Sequence, residues 1–129
     1  MSECVLDASA LLALLNNEPG AEKVEKVLTG SKISAVNASE VIAELYKKLN
    51  ILPEEGSMMV STLVNQIVPF DLLLAEKAAT LRNETSHLGL SLGDRACLAL
   101  GLHLSLPVYT ADKIWQNFSG ELSIIVIRE

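Results

Sequence analysis

Four acids in this chain are spaced so that folding could bring them to one point. Asp7 ends the first apolar run in CVLDAS, and Glu40 lies in ISAVNASEVIAEL. Asp94 sits near the start of the otherwise apolar LSLGDRACLALG, and Asp112 follows the fourth apolar run in PVYTADKIW. Each falls at the C-terminal edge of a predicted strand, or in the first turn of the helix after one. Open α/β sheets place their sites at that rim. Carboxylates gathered there repel by roughly 3 kcal/mol per pair at about 5 Å and an effective dielectric near 20. They must take up protons or share a cation. A hard divalent ion, Mg²⁺ or Mn²⁺, suits an all-oxygen set and keeps waters for chemistry.

Each acid also has a structural explanation. Asn37 to Glu40 and Ser91 to Asp94 both fit the capping box, in which a side chain and an acid three residues later satisfy helix-start amides reciprocally. Asp112 suits a helix start through the dipole. Asp71, directly before a predicted helix, is read as a cap and left out of the site. Glu44, one turn beyond Glu40, is read as a solvated helix residue, with support of the site as the alternative. Asp7 resists such a reading, because an acid ending a buried central strand is expected to have no helix amides of its own, and burying an unpaired carboxylate is costly. His87 and His103 fall at predicted helix C-termini, where imidazolium complements the dipole. Cys4 and Cys97 read as small core residues rather than a disulfide or zinc pair.

The elements that must position the acids alternate between short apolar runs and helical periods. Strands are predicted at Cys4 to Leu6, Ile33 to Val36, Ile67 to Phe70, Val108 to Thr110 and Ser123 to Ile127. Helices are predicted from Ala8 to Asn16, Ala21 to Thr29, Ala38 to Asn50 with Asn37 as N-cap, Pro53 to Gln66, Leu72 to Ser86, Ser91 to His103 and Asp112 to Phe118. With no internal repeat or linker, residues 1–129 form one predicted domain, a three-layer α/β/α sandwich around a five-stranded parallel sheet. The right-handed crossover rule limits the strand orders to a few, of which 3-2-1-4-5 is preferred; it sets the switch point between the strands that end at Asp7 and Asp112.

Composition narrows the class. With 50% hydrophobic and 20% charged residues, the chain is neither disordered nor fibrous. A mean hydropathy of +0.35 predicts that another chain covers some apolar surface, as in a homodimer or higher oligomer. No apolar run approaches the roughly 18 residues of a membrane span, so a cytoplasmic protein is expected. The formal charge of −6 weighs against a polyanion partner. Setting the four acids aside as a metal site leaves −2, and the objection weakens.

VLDASALLALL, ISAVNASEVIAEL, LSLGDRACLALG and LPVYTADKIW, in that order and spacing, resemble a PIN-domain protein, and within that family the VapC-type toxins of toxin–antitoxin pairs. The resemblance implies a metal-dependent endoribonuclease, with Asp7, Glu40, Asp94 and Asp112 as catalytic metal-binding acids and Ser9 and Thr110 as polar neighbours. It implies Mg²⁺ or Mn²⁺ as cofactor, RNA as substrate and a VapB-type antitoxin as partner. Arg95 and Lys113 adjoin site acids and are candidates for phosphate contact, with surface solvation as the alternative. The competing reading is a PIN-like RNA- or protein-binding subunit that cuts nothing. A phosphoacceptor domain is disfavoured, because the first strand offers one acid rather than a pair and the last ends in Arg128-Glu129. Met58, Met59, Val60, Leu63 and Val64 form either a partner seam or a face packed on the chain's own sheet. Trp115 and Phe118 are read as core rather than as a platform for a base.

Overall fold

A strand of three apolar residues with no polar face must be covered on both sides. β1 (Cys4–Leu6) is such a strand: Cys4 and Leu6 enter one hydrophobic cluster and Val5 the other. The computed structural model describes residues 2–118 and 120–129. Around β1 stand β2 (Ser31–Ser34), β3 (Gln66–Val68), β4 (Val108–Thr110) and β5 (Ile124–Val126), all parallel, in the order β3-β2-β1-β4-β5. This is the order expected from the sequence. Leu6 lies opposite Ile33 of β2 and Tyr109 of β4, so the winding reverses between β1 and β4.

The helices divide between the two faces. α1 (Ala8–Leu15), α2 (Ala21–Glu25), α3 (Ala35–Leu49) and α4 (Pro53–Leu63) bury Leu11, Val24, Val41, Leu45 and Val60 with Leu6 and Ile33. α5 (Leu72–Glu84) and α6 (Leu92–Leu104) bury Leu74, Leu81, Leu98 and Leu100 with Val5 and Val108. Trp115, in the short 3-10 turn Lys113–Asn117, is fully buried in this second cluster with Phe118 against it. Both belong to the core. Cys4 and Cys97 are buried free thiols, as their core reading requires. No described helix is long and apolar enough to cross a membrane.

Several boundaries differ from the sequence-based expectation, and one matters. β2 leaves the sheet at Ser34, the last residue paired with β3, where Ser34 lies opposite Val68. Helix α3 therefore starts at Ala35, with the Ser34 hydroxyl accepting the Val36 N–H at 3.2 Å. Asn37 is thus inside the first turn rather than at the N-cap, and the capping box expected with Glu40 does not form. The helix expected from Ala21 to Thr29 is shorter, ending at Glu25 before a single 3-10 turn, Leu28–Gly30.

Asp71 caps α5 as expected, its Oδ1 accepting the Leu74 N–H at 3.0 Å. Asp71→Ala should cost about 1 kcal/mol in urea unfolding. It should leave any activity of the site untouched, because Asp71 lies outside the cavity described next.

Candidate metal centre

Where β1 and β4 diverge, a cavity of about 480 Å³ opens that Asp7, Ser9, Asn37, Glu40, Glu44, Asp94 and Asp112 line. All four acids predicted for the site face this one space. They arrive from four separate segments: the end of β1, the second turn of α3, the first turn of α6, and the residue before the Lys113–Asn117 turn.

Asp7 is the deepest, only 4% exposed. Contrary to expectation it has a helix amide of its own, since it is the N-cap of α1 and its Oδ1 accepts the Ala10 N–H at 2.8 Å. Ser9 Oγ donates to Asp7 Oδ1 at 2.8 Å, and Thr110 Oγ1 donates to Oδ2 at 2.6 Å. Each hydroxyl has a single proton. Each also accepts a backbone N–H, Ser9 from Ala111 and Thr110 from Asp112. The network fixes the plane of the Asp7 carboxylate. Burial nevertheless pushes its pKa up to about 6, against the pull of these three bonds and with the charge of Asp94 adding to the rise. Burial also holds the nearby Cys97 thiol neutral, and the charges of Asp7, Asp94 and Glu40 reinforce it.

The capping explanations for Asp94 and Asp112 hold as well. Asp94 and Ser91 form the reciprocal box at the head of α6, with Ser91 N–H donating to Asp94 Oδ2 at 3.0 Å and Asp94 N–H to Ser91 Oγ at 3.2 Å. Asp112 Oδ1 accepts the Ile114 N–H at 3.1 Å. Capping and lining the cavity are compatible, because each cap bond engages one carboxylate oxygen. Glu44 lines the same cavity while its Oε2 pairs with Lys48 at 3.0 Å.

Two residues of this neighbourhood escaped the sequence reading. Asn37 is 1% exposed, and its Nδ2 donates to Glu40 Oε1 at 2.8 Å and to the Gly93 carbonyl at 3.0 Å. Its Oδ1 is buried without a partner. Such an oxygen costs on the order of 1–3 kcal/mol. Gly93 matters for what it lacks, since a Cβ there would overlap the Glu40 carboxylate. The available signal was the three-residue spacing of Asn37 and Glu40, which puts both on one helix face.

Arg95 and Lys113 do not enter the cavity. Arg95 Nη1 donates across to the Ala78 carbonyl of α5 at 2.9 Å. Lys113 lines a separate groove of about 340 Å³ with Lys23 and Arg128. His87 and His103 are exposed, on the 3-10 turn after α5 and the last turn of α6.

Among the described residues, no three His, Cys, Asp or Glu side chains stand close enough together to hold a metal ion. The acids line the wall and are turned to local donors. As a donor set they still fit one kind of group. The polar residues lining the cavity are Asp7, Ser9, Asn37, Glu40, Glu44, Asp94 and Asp112, whose side chains offer a metal oxygen ligands, and the Asp7 carboxylate already feels the Asp94 charge. Hard divalent cations bind such sets.

Fold and cavity together define a doubly wound α/β domain with an acid-lined site at its switch point. The family model for the PIN domain matches residues 4–121, and the chain belongs to that family. Among curated protein sequences none matches. Several solved structures share the fold. A toxin–antitoxin complex from Klebsiella pneumoniae superposes with a TM-score of 0.75 at 21% identity, covering 98% of this chain and 99% of that one. A DNA-bound VapBC from Salmonella typhimurium gives a TM-score of 0.71 at 19% identity, covering 96% and 97%. VapC20 of Mycobacterium tuberculosis, a toxin that cleaves the sarcin-ricin loop, gives 0.71 at 17% identity, covering 91% and 93%.

Proposed function

We propose that the cavity holds Mg²⁺ or Mn²⁺ and that the protein is an endoribonuclease, the toxin of a VapBC-type pair. The carrying observation is that Asp7, Glu40, Asp94 and Asp112, from four distant segments, line one cavity at the switch point of a PIN-domain sheet. When bound, the ion supplies a coordinated water of lowered pKa and offsets charge on the phosphate and leaving oxygen. Asp7 and Asp94 are its principal ligands. Glu40 is a further ligand or orients the attacking water. Asp112, at the edge of β4, holds a second ion or acts through water. Ser9 and Thr110 keep the Asp7 carboxylate in one orientation. Lys113, next to Asp112 in sequence, meets a substrate phosphate from the groove it lines with Lys23 and Arg128, whereas Arg95 has the weaker claim because its guanidinium is turned to α5.

A VapB-type antitoxin and a homodimer or higher oligomer belong to the same proposal, as does a cytoplasmic location. Support comes from the toxin–antitoxin complexes among the similar structures and from exposed apolar side chains on and beside α3 and α4. Leu49 is 59% and Met58 71% exposed, while Val60 and Val64 of the same stretch are buried in the chain's own core. Leu15, Met58, Met59 and Leu63 line an apolar cavity of about 450 Å³ there.

The experiment is incubation of the purified protein with RNA in Mg²⁺, in Mn²⁺ and in EDTA. Cleavage in either metal that EDTA abolishes is expected. The second reading, a binding subunit that cuts nothing, draws on the cap bonds of Asp94 and Asp112, which give these acids a use without catalysis. Mn²⁺ uptake with intact RNA at long incubation would favour it.

A further inference from the structure

Asn37 bridges the two helices that bring acids into the cavity. Its Nδ2 reaches Glu40 Oε1 on α3 and the Gly93 carbonyl on α6, the residue before Asp94. The amide cannot be turned over, because Oδ1 would then face two acceptors with nothing to donate. Oδ1 stays buried and unpaired, so the two acceptors alone decide the orientation. Gly93 provides the opposing surface. Its bare Cα leaves the space in which the Glu40 carboxylate lies, and a Cβ would fill that space. Glu40 is otherwise an exposed side chain on a helix, with several rotamers to choose from.

We infer that Asn37 is a positioning residue: with the bare Cα of Gly93 it fixes the Glu40 carboxylate beside Asp94, and so sets the affinity of the cavity for a divalent cation. The inference rests on the metal-site reading above. A group that orients a ligand without being one typically changes metal affinity by about 10–100-fold when removed.

Mn²⁺ titration of the full chain, with free Mn²⁺ followed by electron paramagnetic resonance, tests it without reference to activity. Asn37→Ala should weaken binding about tenfold. The same substitution in a Glu40→Gln background should change the Kd by less than about twofold, because the carboxylate it holds has gone. An equal loss in both backgrounds overturns the inference, since Asn37 would then act only through the general fold. Gly93→Ala keeps the test alive if Asn37→Ala fails to fold. Alanine at the second residue of α6 improves helix propensity, and the end of a flexible glutamate moves aside at little cost in stability. Thermal stability should hold or rise while Mn²⁺ affinity falls about tenfold. Wild-type affinity in Gly93→Ala overturns the inference while leaving the metal centre standing. A wild-type chain that takes up no Mn²⁺, or an Asp94→Asn variant that binds it unchanged, overturns the metal centre and the inference with it.

Discussion

Asp94→Asn is expected to lower Mg²⁺-dependent RNA cleavage at least about a thousandfold while the protein keeps its fold. A factor of about a thousand is about 4 kcal/mol in the barrier, within what a metal ion contributes by polarising phosphoryl oxygen and activating water. The fold survives because the capping box does not need the charge. An asparagine carbonyl can still accept the Ser91 N–H, and the bond from the residue 94 N–H to Ser91 Oγ is a backbone donation that the substitution leaves alone. Removing the Asp94 charge also relieves Asp7, whose pKa it helps to raise. The variant should therefore match or exceed the wild type in thermal stability without metal, and respond weakly to added Mn²⁺. Cleavage within about tenfold of wild type would remove Asp94 from the catalytic set.

Much of this site was legible because its acids abut strong local signals. Asp7 and Asp112 directly follow or nearly follow buried apolar strands, and Ser91 three residues before Asp94 marks a helix start whatever the tertiary context. Right-handed crossovers left only a few strand orders, and the one preferred set the switch point between the strands that end at Asp7 and Asp112. Asn37 was not, since its role depends on where β2 leaves the sheet, and the pairing of Ser34 with Val68, far apart in sequence, decides that. Local propensity favoured Asn37 as a cap, and the sheet overrode it. Arg95 shows how far adjacency in sequence carries. Adjacent residues on a helix point about 100° apart, so the neighbour of a site acid faces another element, here the Ala78 carbonyl of α5. For Asp7 the expectation of no helix amide failed, because the turn into α1 gives it the Ala10 N–H that a position at a strand end would deny.

Asp7→Asn should have opposite effects on stability and on activity. The folded-state pKa of Asp7 is about 6, above its ordinary 3.8, so between those values the folded protein keeps a proton that the unfolded chain has released. The stability associated with this group is therefore fully present below about pH 4 and is lost as pH rises through about 6. Each pH unit of difference is worth about 1.4 kcal/mol. The interval between 3.8 and about 6 then amounts to roughly 3 kcal/mol near pH 8. Asparagine carries no such penalty, and it can keep the Ala10 and Ser9 bonds through its carbonyl while the Thr110 hydroxyl accepts from its amide. In EDTA the variant should match the wild type near pH 4 and exceed it by roughly 3 kcal/mol at pH 8, as read by urea unfolding. Added Mg²⁺ or Mn²⁺ should close that gap from the other side, because a cation that binds only the folded wild type stabilises it by mass action while the variant lacks a principal ligand. Metal-dependent cleavage by the variant should be lost. A difference between variant and wild type that stays constant from pH 4 to pH 8 would mean that Asp7 does not carry the electrostatic strain of the cavity, and the case for a cation there would lose its strongest physical motive.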